Sequence, residues 1–323
     1  MVSNAPSPPR TRAPGRATSP RATARGRAGL RNSRGDRITL ALMLGVPAAL
    51  VVGLVWLPAT VTVLLSFTRW DGIGGLDTIE WIGAQNYVDA FTIYPPFEPA
   101  LRNNLVWLVV LFAVPTVLGM FLAVLLDRRM RGGALYQSVF YMPVVLSLAL
   151  VGFIWQLVYS RDQGLLNAFL AVVADAPPVD WFGDSDINLY AVLVAASWRH
   201  TGYIMLLYLA GLKAVDPSLR EAAAIDGAGP VRTFTQVVFP ALLPINLVVL
   251  VVTVIDALRA FDIVWIINRG RNGLELISAL VTSNVIGEAS RVGFGSALAV
   301  IMLLISLVFI TVYVSTMLRK AYR

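Results

Sequence analysis

Beyond residue 37, long uncharged apolar stretches alternate with short charged ones. Residues 38–68, 103–126, 132–160, 233–255 and 292–318 contain no Asp, Glu, Lys or Arg, and each can hold a membrane helix of about 20 residues. A sixth stretch, 189–212, is apolar apart from Arg199 and His200 near its middle. The pattern predicts six spanning helices with cores near residues 40–67, 104–126, 138–160, 189–212, 241–262 and 296–318, and so an all-α polytopic membrane protein. Pro47, Pro58, Pro115 and Pro143 fall inside these stretches, which membrane helices tolerate when neighbours satisfy the freed carbonyls. No repeat of 20–50 residues runs through the chain, so solenoids and propellers are not supported.

Composition agrees. Of 323 residues 57% are hydrophobic and only 14% charged, against about 45–50% and about 25% in a soluble domain. There is no cysteine and one histidine, His200, which excludes disulfides, thiolate chemistry and a multi-histidine zinc site. No cofactor is expected.

The net charge of +7 is concentrated at one end. Residues 1–37 hold nine arginines and one acid, Asp36, among Pro, Ala, Ser, Thr and Gly, and this arm is expected to be disordered. Without it the remaining chain, 38–323, carries −1, so the basicity belongs to a tail and no nucleic-acid partner is expected. The apolar stretch after the arm is too long for a signal peptide and lacks a small-residue cleavage site. Eighteen Lys and Arg lie in the tail, the 127–136 and 213–240 loops and the C-terminus, against six in the three opposite loops, so both termini are expected in the cytoplasm. The 69–103 and 161–188 loops carry five acids each and form the expected external face. Trp56, Trp70, Trp81, Tyr94, Trp107, Tyr159 and Trp181 lie near span ends, where interfacial aromatics concentrate, though packing is the commoner role for any one of them.

The 213–240 loop is far longer than a turn between two spans requires. Asp216, Pro217 and Ser218 read as a helix cap with proline in the first turn, and 219–225 is strong helix-forming sequence. Gly227, Gly229 and Pro230 stop it, and a second helical stretch over 231–239 leads to Pro240 and Pro244. The expectation is a short cytoplasmic helix, a glycine corner and a helix re-entering the membrane.

This segment closely resembles the cytoplasmic motif of ABC importer permeases of the maltose and glycerol-3-phosphate branch. Glu221, Ala222, Ala223, Asp226, Gly227, Ala228, Phe234, Pro240 and Pro244 match that motif, while Val231, Val237 and Phe239 replace other apolar residues. Similarity extends over roughly 38–320, through Gly164 to Asn167, Ala210 to Leu212, Ala260 to Asp262 and Gly293 to Ala297. The usual T-x-G-G-P after span five is replaced by Asn268, Arg269, Gly270, Arg271, Asn272 and Gly273, which points to an altered contact with the binding protein. The resemblance implies a type I importer fold working by alternating access, in which Glu221, Ala222, Ala223, Asp226 and Gly227 couple to an ATPase. It also implies a second permease, two ATPase subunits and an external sugar-binding protein as partners, in a bacterial plasma membrane. The only lysines, Lys213 and Lys320, each precede alanine, so the chain has no G-x-x-x-x-G-K-[ST] phosphate loop of its own.

Ionisable groups inside spans mark pathways or pair with one another. Asp256 and Arg259, spaced i, i+3, either pair on one helix face or face solute. His200 and Tyr203 lie one turn apart, and Thr253, Asp256 and Ala260 form one stripe of span five. The resemblance implies a mid-membrane solute site at the Tyr203 and Thr253 positions, so His200, Tyr203, Thr253, Asp256 and Arg259 are the candidate pathway residues. The leading reading is a non-enzymatic permease subunit of an ATP-driven sugar importer. The alternatives are a permease for another solute, such as glycerol-3-phosphate or an oligopeptide, an ion-coupled secondary carrier, or a membrane enzyme.

Overall fold

The computed structural model describes residues 34–128, 131–287 and 290–321. Most of the Arg-rich arm lies outside these residues, although a helix already begins at Arg34, inside the segment expected to be disordered. The chain divides into two units, Met1–Trp56 and Leu57–Arg323. In the first, α1 (Arg34–Val51) is followed by a π-helical turn, Val52–Trp56, and presents a wholly exposed apolar surface including Leu44, Leu54 and Trp56. Such a surface requires lipid or protein around it.

The second unit opens with α2 (Leu57–Leu65) and a two-residue antiparallel ladder absent from the all-α reading, β1 (Thr68–Arg69) with β2 (Glu80–Trp81). Asn86 clamps it by donating to the carbonyls of Ser66 and Thr68. Then follow α3 (Gln85–Thr92), α4 (Phe97–Asp127), α5 (Gly133–Val145), α6 (Leu148–Val158), α7 (Leu165–Ala174) and α8 (Asn188–Ala214). The loop contributes α9 (Pro217–Ile225), α10 (Pro230–Thr233) and α11 (Phe239–Ala241), with a π-helical turn at Phe234–Val238. The chain closes with α12 (Leu243–Leu258), α13 (Asp262–Asn268), α14 (Ile277–Val285) and α15 (Val292–Ala321).

Among the described residues, Ile38–Leu65, Phe97–Asp127 and Val292–Thr316 have the length and hydropathy of membrane spans. Spans three and five, with cores expected near 138–160 and 241–262, are both bent. The third bends by 100° between α5 and α6, and the fifth by 69° between Pro230–Ala241 and Leu243–Asn268. The first bend has local causes. Pro143 donates no amide hydrogen to the preceding turn, and the Ser147 hydroxyl accepts from Leu150 N at 3.2 Å, starting a new helix. Arg199 Nε then donates to the freed Leu146 carbonyl at 3.3 Å.

Span four, α8, is long enough at about 1.5 Å per residue but too polar to pass on hydropathy. Its position explains why: most of its residues are buried, and it packs along α4 and against α5, α6 and α12. A helix enclosed by protein needs no apolar surface on every side. Glycines permit the close approach: a Cβ at Gly119 would stand 2.8 Å from Met205 N, and one at Gly211 would stand 2.6 Å from Ile245 Cγ1. Trp107 and Tyr159, considered for the membrane interface, are instead packed inside, whereas Trp56 and Trp81 are exposed.

Candidate functional site

Two features of the second unit are chemically distinct from its apolar bulk. One is a cavity of about 380 Å³ walled by α4, α5, α8, α12 and α13. Arg199, His200 and Tyr203 reach it from α8, Asp256 from α12, and Arg259 and Asp262 from the junction between α12 and α13. Trp107 and Tyr141 add aromatic walls that the sequence reading did not place there. Their signal was weak, since a tryptophan and a tyrosine in apolar helices read first as packing.

His200 organises the cavity floor. It is buried, with Nε2 3.0 Å from Thr253 Oγ1 and Nδ1 3.6 Å from Asp256 Oδ2. The nearby carboxylate favours a proton on Nδ1, leaving Nε2 to accept the threonine hydroxyl hydrogen. Thr253 and Asp256 are one turn apart on α12, so one imidazole from α8 engages both. Tyr203 stands one turn further along α8, its ring centroid 6.2 Å from that of His200.

Two expectations need correction. Thr253 does not line the cavity: it is fully buried behind His200 and holds that ring in place. Nor do Asp256 and Arg259 form a direct pair; no ion pair within 4 Å joins them among the described residues, and it is the His200 ring that lies 3.6 Å from the Asp256 carboxylate. The i, i+3 argument assumed a continuing helix. α12 ends at Leu258, with Arg259 as its cap, and the two side chains reach the same cavity without coming within 4 Å of one another. His200, Tyr203, Asp256 and Arg259 do share the cavity, as the sequence suggested.

The second feature is the α9 loop. Asp216 caps the helix, accepting from Ser218 N at 2.9 Å, and this amide holds its carboxyl below the usual carboxylate range. At the other end Gly227 N donates to Ala224 O at 3.1 Å and Ala228 N to Ala223 O at 2.9 Å, with Gly227 at φ +73°. These are the two bonds of a Schellman cap, which needs a left-handed residue where glycine stands. Glu221, Ala222, Asp226 and Gly227 are exposed, while Ala223 is buried underneath. Nothing within 4 Å would meet a Cβ at Gly227, so backbone conformation and not crowding demands glycine there. Ile225 and Val231, 87% and 77% exposed, flank the corner as bare apolar side chains.

At the opposite end of the cavity-forming helices, the segment 268–273 is held by asparagines. Asn103 donates to the carbonyls of Gly273 and Glu275, Asn188 to that of Asn272, and Asn272 to that of Gly183. Arg269, Gly270, Asn272 and Gly273 all have positive φ, giving a tightly folded connection where the family motif differs.

A multi-pass helical protein with a polar cavity between its helices and an exposed helical loop has the architecture of a membrane transport subunit. Residues 116–323 match the family described as binding-protein-dependent transport system inner membrane component, and the chain belongs to it. Among curated relatives, the osmoprotective compounds uptake permease GgtC of Synechocystis sp. is 34% identical over 77% of this chain and 88% of its own length. The xylose/arabinose import permease XacH of Haloferax volcanii is 31% identical over 81% of this chain and 83% of its own. A bacterial ABC transporter importing the acidic polysaccharide alginate matches in fold, with TM-score 0.74 at 19% identity, covering 88% of this chain and 96% of that one. The chain is thus a multi-pass ABC importer permease, a transport component.

Proposed function

We propose that the chain supplies half of the solute pathway of a bacterial ATP-driven sugar importer, lying in the plasma membrane with both termini cytoplasmic. It assembles with a second permease and two ATPase subunits, docks one of those ATPases through Glu221, Ala222, Ala223, Asp226 and Gly227, receives solute from an external binding protein, and does no covalent chemistry itself. The cavity carries the sugar reading: Trp107, Tyr141 and Tyr203 offer ring faces beside cationic donors and carboxylate acceptors, as a ring bearing hydroxyls on an apolar face requires. The relative named for xylose and arabinose supports it. Arg199 and Arg259 are balanced by Asp256 and Asp262, which favours a neutral solute over a phosphorylated one. The relative named for osmoprotective compounds keeps a small polar non-sugar as the second reading.

Tyr203→Ala and Asp256→Ala are each expected to lower sugar uptake by about ten- to a hundredfold, the worth of one hydrogen bond to a charged or buried group. ATP hydrolysis stimulated by the binding protein should persist. Adding Arg259→Ala to Asp256→Ala should not restore uptake, because the two side chains form no direct ion pair and the carboxylate is lost as a solute acceptor; recovery in the double variant would remove Asp256 from the solute site.

Orientation has a separate check. The chain has no cysteine, and Asp184 and Ser218 are both exposed. A thiol reagent that cannot cross the membrane should label Asp184→Cys in intact cells and Ser218→Cys only after lysis. The reverse pattern would invert the topology.

A further inference from the structure

One guanidinium joins the docking helix to the helices that build the cavity. Arg220, in the first half of α9, donates from Nη1 to Asp127 Oδ2 at 2.9 Å and from Nη2 to the Leu212 carbonyl at 3.4 Å. Asp127 is the last residue of α4, whose Trp107 and Leu111 line the cavity roughly 30 Å and 24 Å away along that helix at 1.5 Å per residue. Leu212 lies in the last turn of α8, which carries Arg199, His200 and Tyr203. Apart from this contact, α9 packs chiefly on the π-helical turn Phe234–Val238 and on α10. A cavity of about 330 Å³ lies between it and the spans, lined by Val124, Leu212, Ala224 and Phe234 among others, and the Arg220 side chain bridges that gap.

We propose that the Arg220–Asp127 pair is a strut that carries displacement of α9 into α4 and α8, making the state of the solute cavity depend on the docked helix. The proposal rests on α9 being the ATPase-docking helix. The pair is partly buried, with side chains 39% and 16% exposed, so solvent screens it less than a surface pair. Apolar contacts such as those of Phe234 and Val238 are non-directional and allow sliding, whereas a short charge-assisted hydrogen bond fixes distance and angle. The Nε of Arg220 is buried without a partner, so the group keeps a donor for another carbonyl if α9 shifts along the end of α8.

The test uses the complete transporter in proteoliposomes and measures sugar moved, ATP hydrolysed in the presence of the binding protein, and ATPase subunits co-purified. Arg220→Met and Asp127→Asn should each lower sugar moved per ATP by about tenfold while assembly and hydrolysis persist. Exchanging the charges in the double variant Asp127→Arg, Arg220→Asp should restore most of that ratio, which a merely structural role would not do. An unchanged ratio in both single variants, or a charge exchange no better than either, overturns the strut while leaving α9 as the docking helix. Loss of ATPase subunits from the single variants would make the pair a docking element and also overturns it. If the unsubstituted chain retains no ATPase through α9, the docking reading and the strut fall together.

Discussion

Gly227→Pro is expected to abolish transport, a loss of at least about a hundredfold, while the permease stays in the membrane at normal abundance. Proline is locked near φ −65°, whereas this position stands at φ +73°. It also lacks the amide hydrogen that Gly227 gives to Ala224 O, so both the turn and one of its two closing bonds are lost. Forcing a residue so far from its allowed region costs about 1–3 kcal/mol unless the backbone rearranges. A side chain at this corner meets open space, which leaves room for the backbone to rearrange. The damage is therefore confined to the direction in which α9 leaves for α10. Gly227→Ala is the graded control: its Cβ meets open space, and only the left-handed conformation is penalised, by about 1 kcal/mol, so partial uptake should remain. Normal uptake by the proline variant would remove this loop from the coupling mechanism.

Gly202→Val should do the opposite, depleting folded protein from the membrane before any question of transport arises. A side chain at Gly202 would be driven into the backbone carbonyl of Phe140 on α5, with Val144 Cγ2 at 3.0 Å. Backbone cannot step aside as a flexible side chain can, so α5 and α8 must separate. Overpacking of this kind costs about 1–3 kcal/mol and occasionally more, enough to change cellular abundance severalfold. Gly133→Ala, where nothing lies within 4 Å, should leave abundance unchanged. Quantifying detergent-extracted, monodisperse protein distinguishes the two, and normal levels of the valine variant would mean that α5 and α8 are not in close contact.

These two glycines mark the limit of what could be read in advance. Gly227 was legible because everything that makes it necessary lies within a few residues: Asp216 capping, the alanine-rich turns and the stop at Gly229 and Pro230. Gly202 was not, because its neighbour Phe140 lies 62 positions earlier, and only the packing of α5 on α8 brings them together. The cavity divides in the same way. His200, Tyr203, Asp256 and Arg259 stood out as polar groups at membrane depth. That Thr253 meets His200 and Asp256 approaches the same ring depended on the rotation of α12 against α8.

The sequence by itself determined that this is a helical membrane protein with a capped, glycine-cornered helix in the loop after its fourth span. Hydropathy, capping and turn preferences act between residues close in the chain, and each leaves a local mark. Only the tertiary structure decided that the third and fifth apolar stretches bend by 100° and 69°, that Trp107 and Tyr141 turn inward, and that Arg220 reaches Asp127. Those outcomes depend on which helices meet and at what rotation. A uniformly apolar segment offers several faces of nearly equal hydrophobicity, so the choice among them falls to glycine clearances and a few long-range polar contacts.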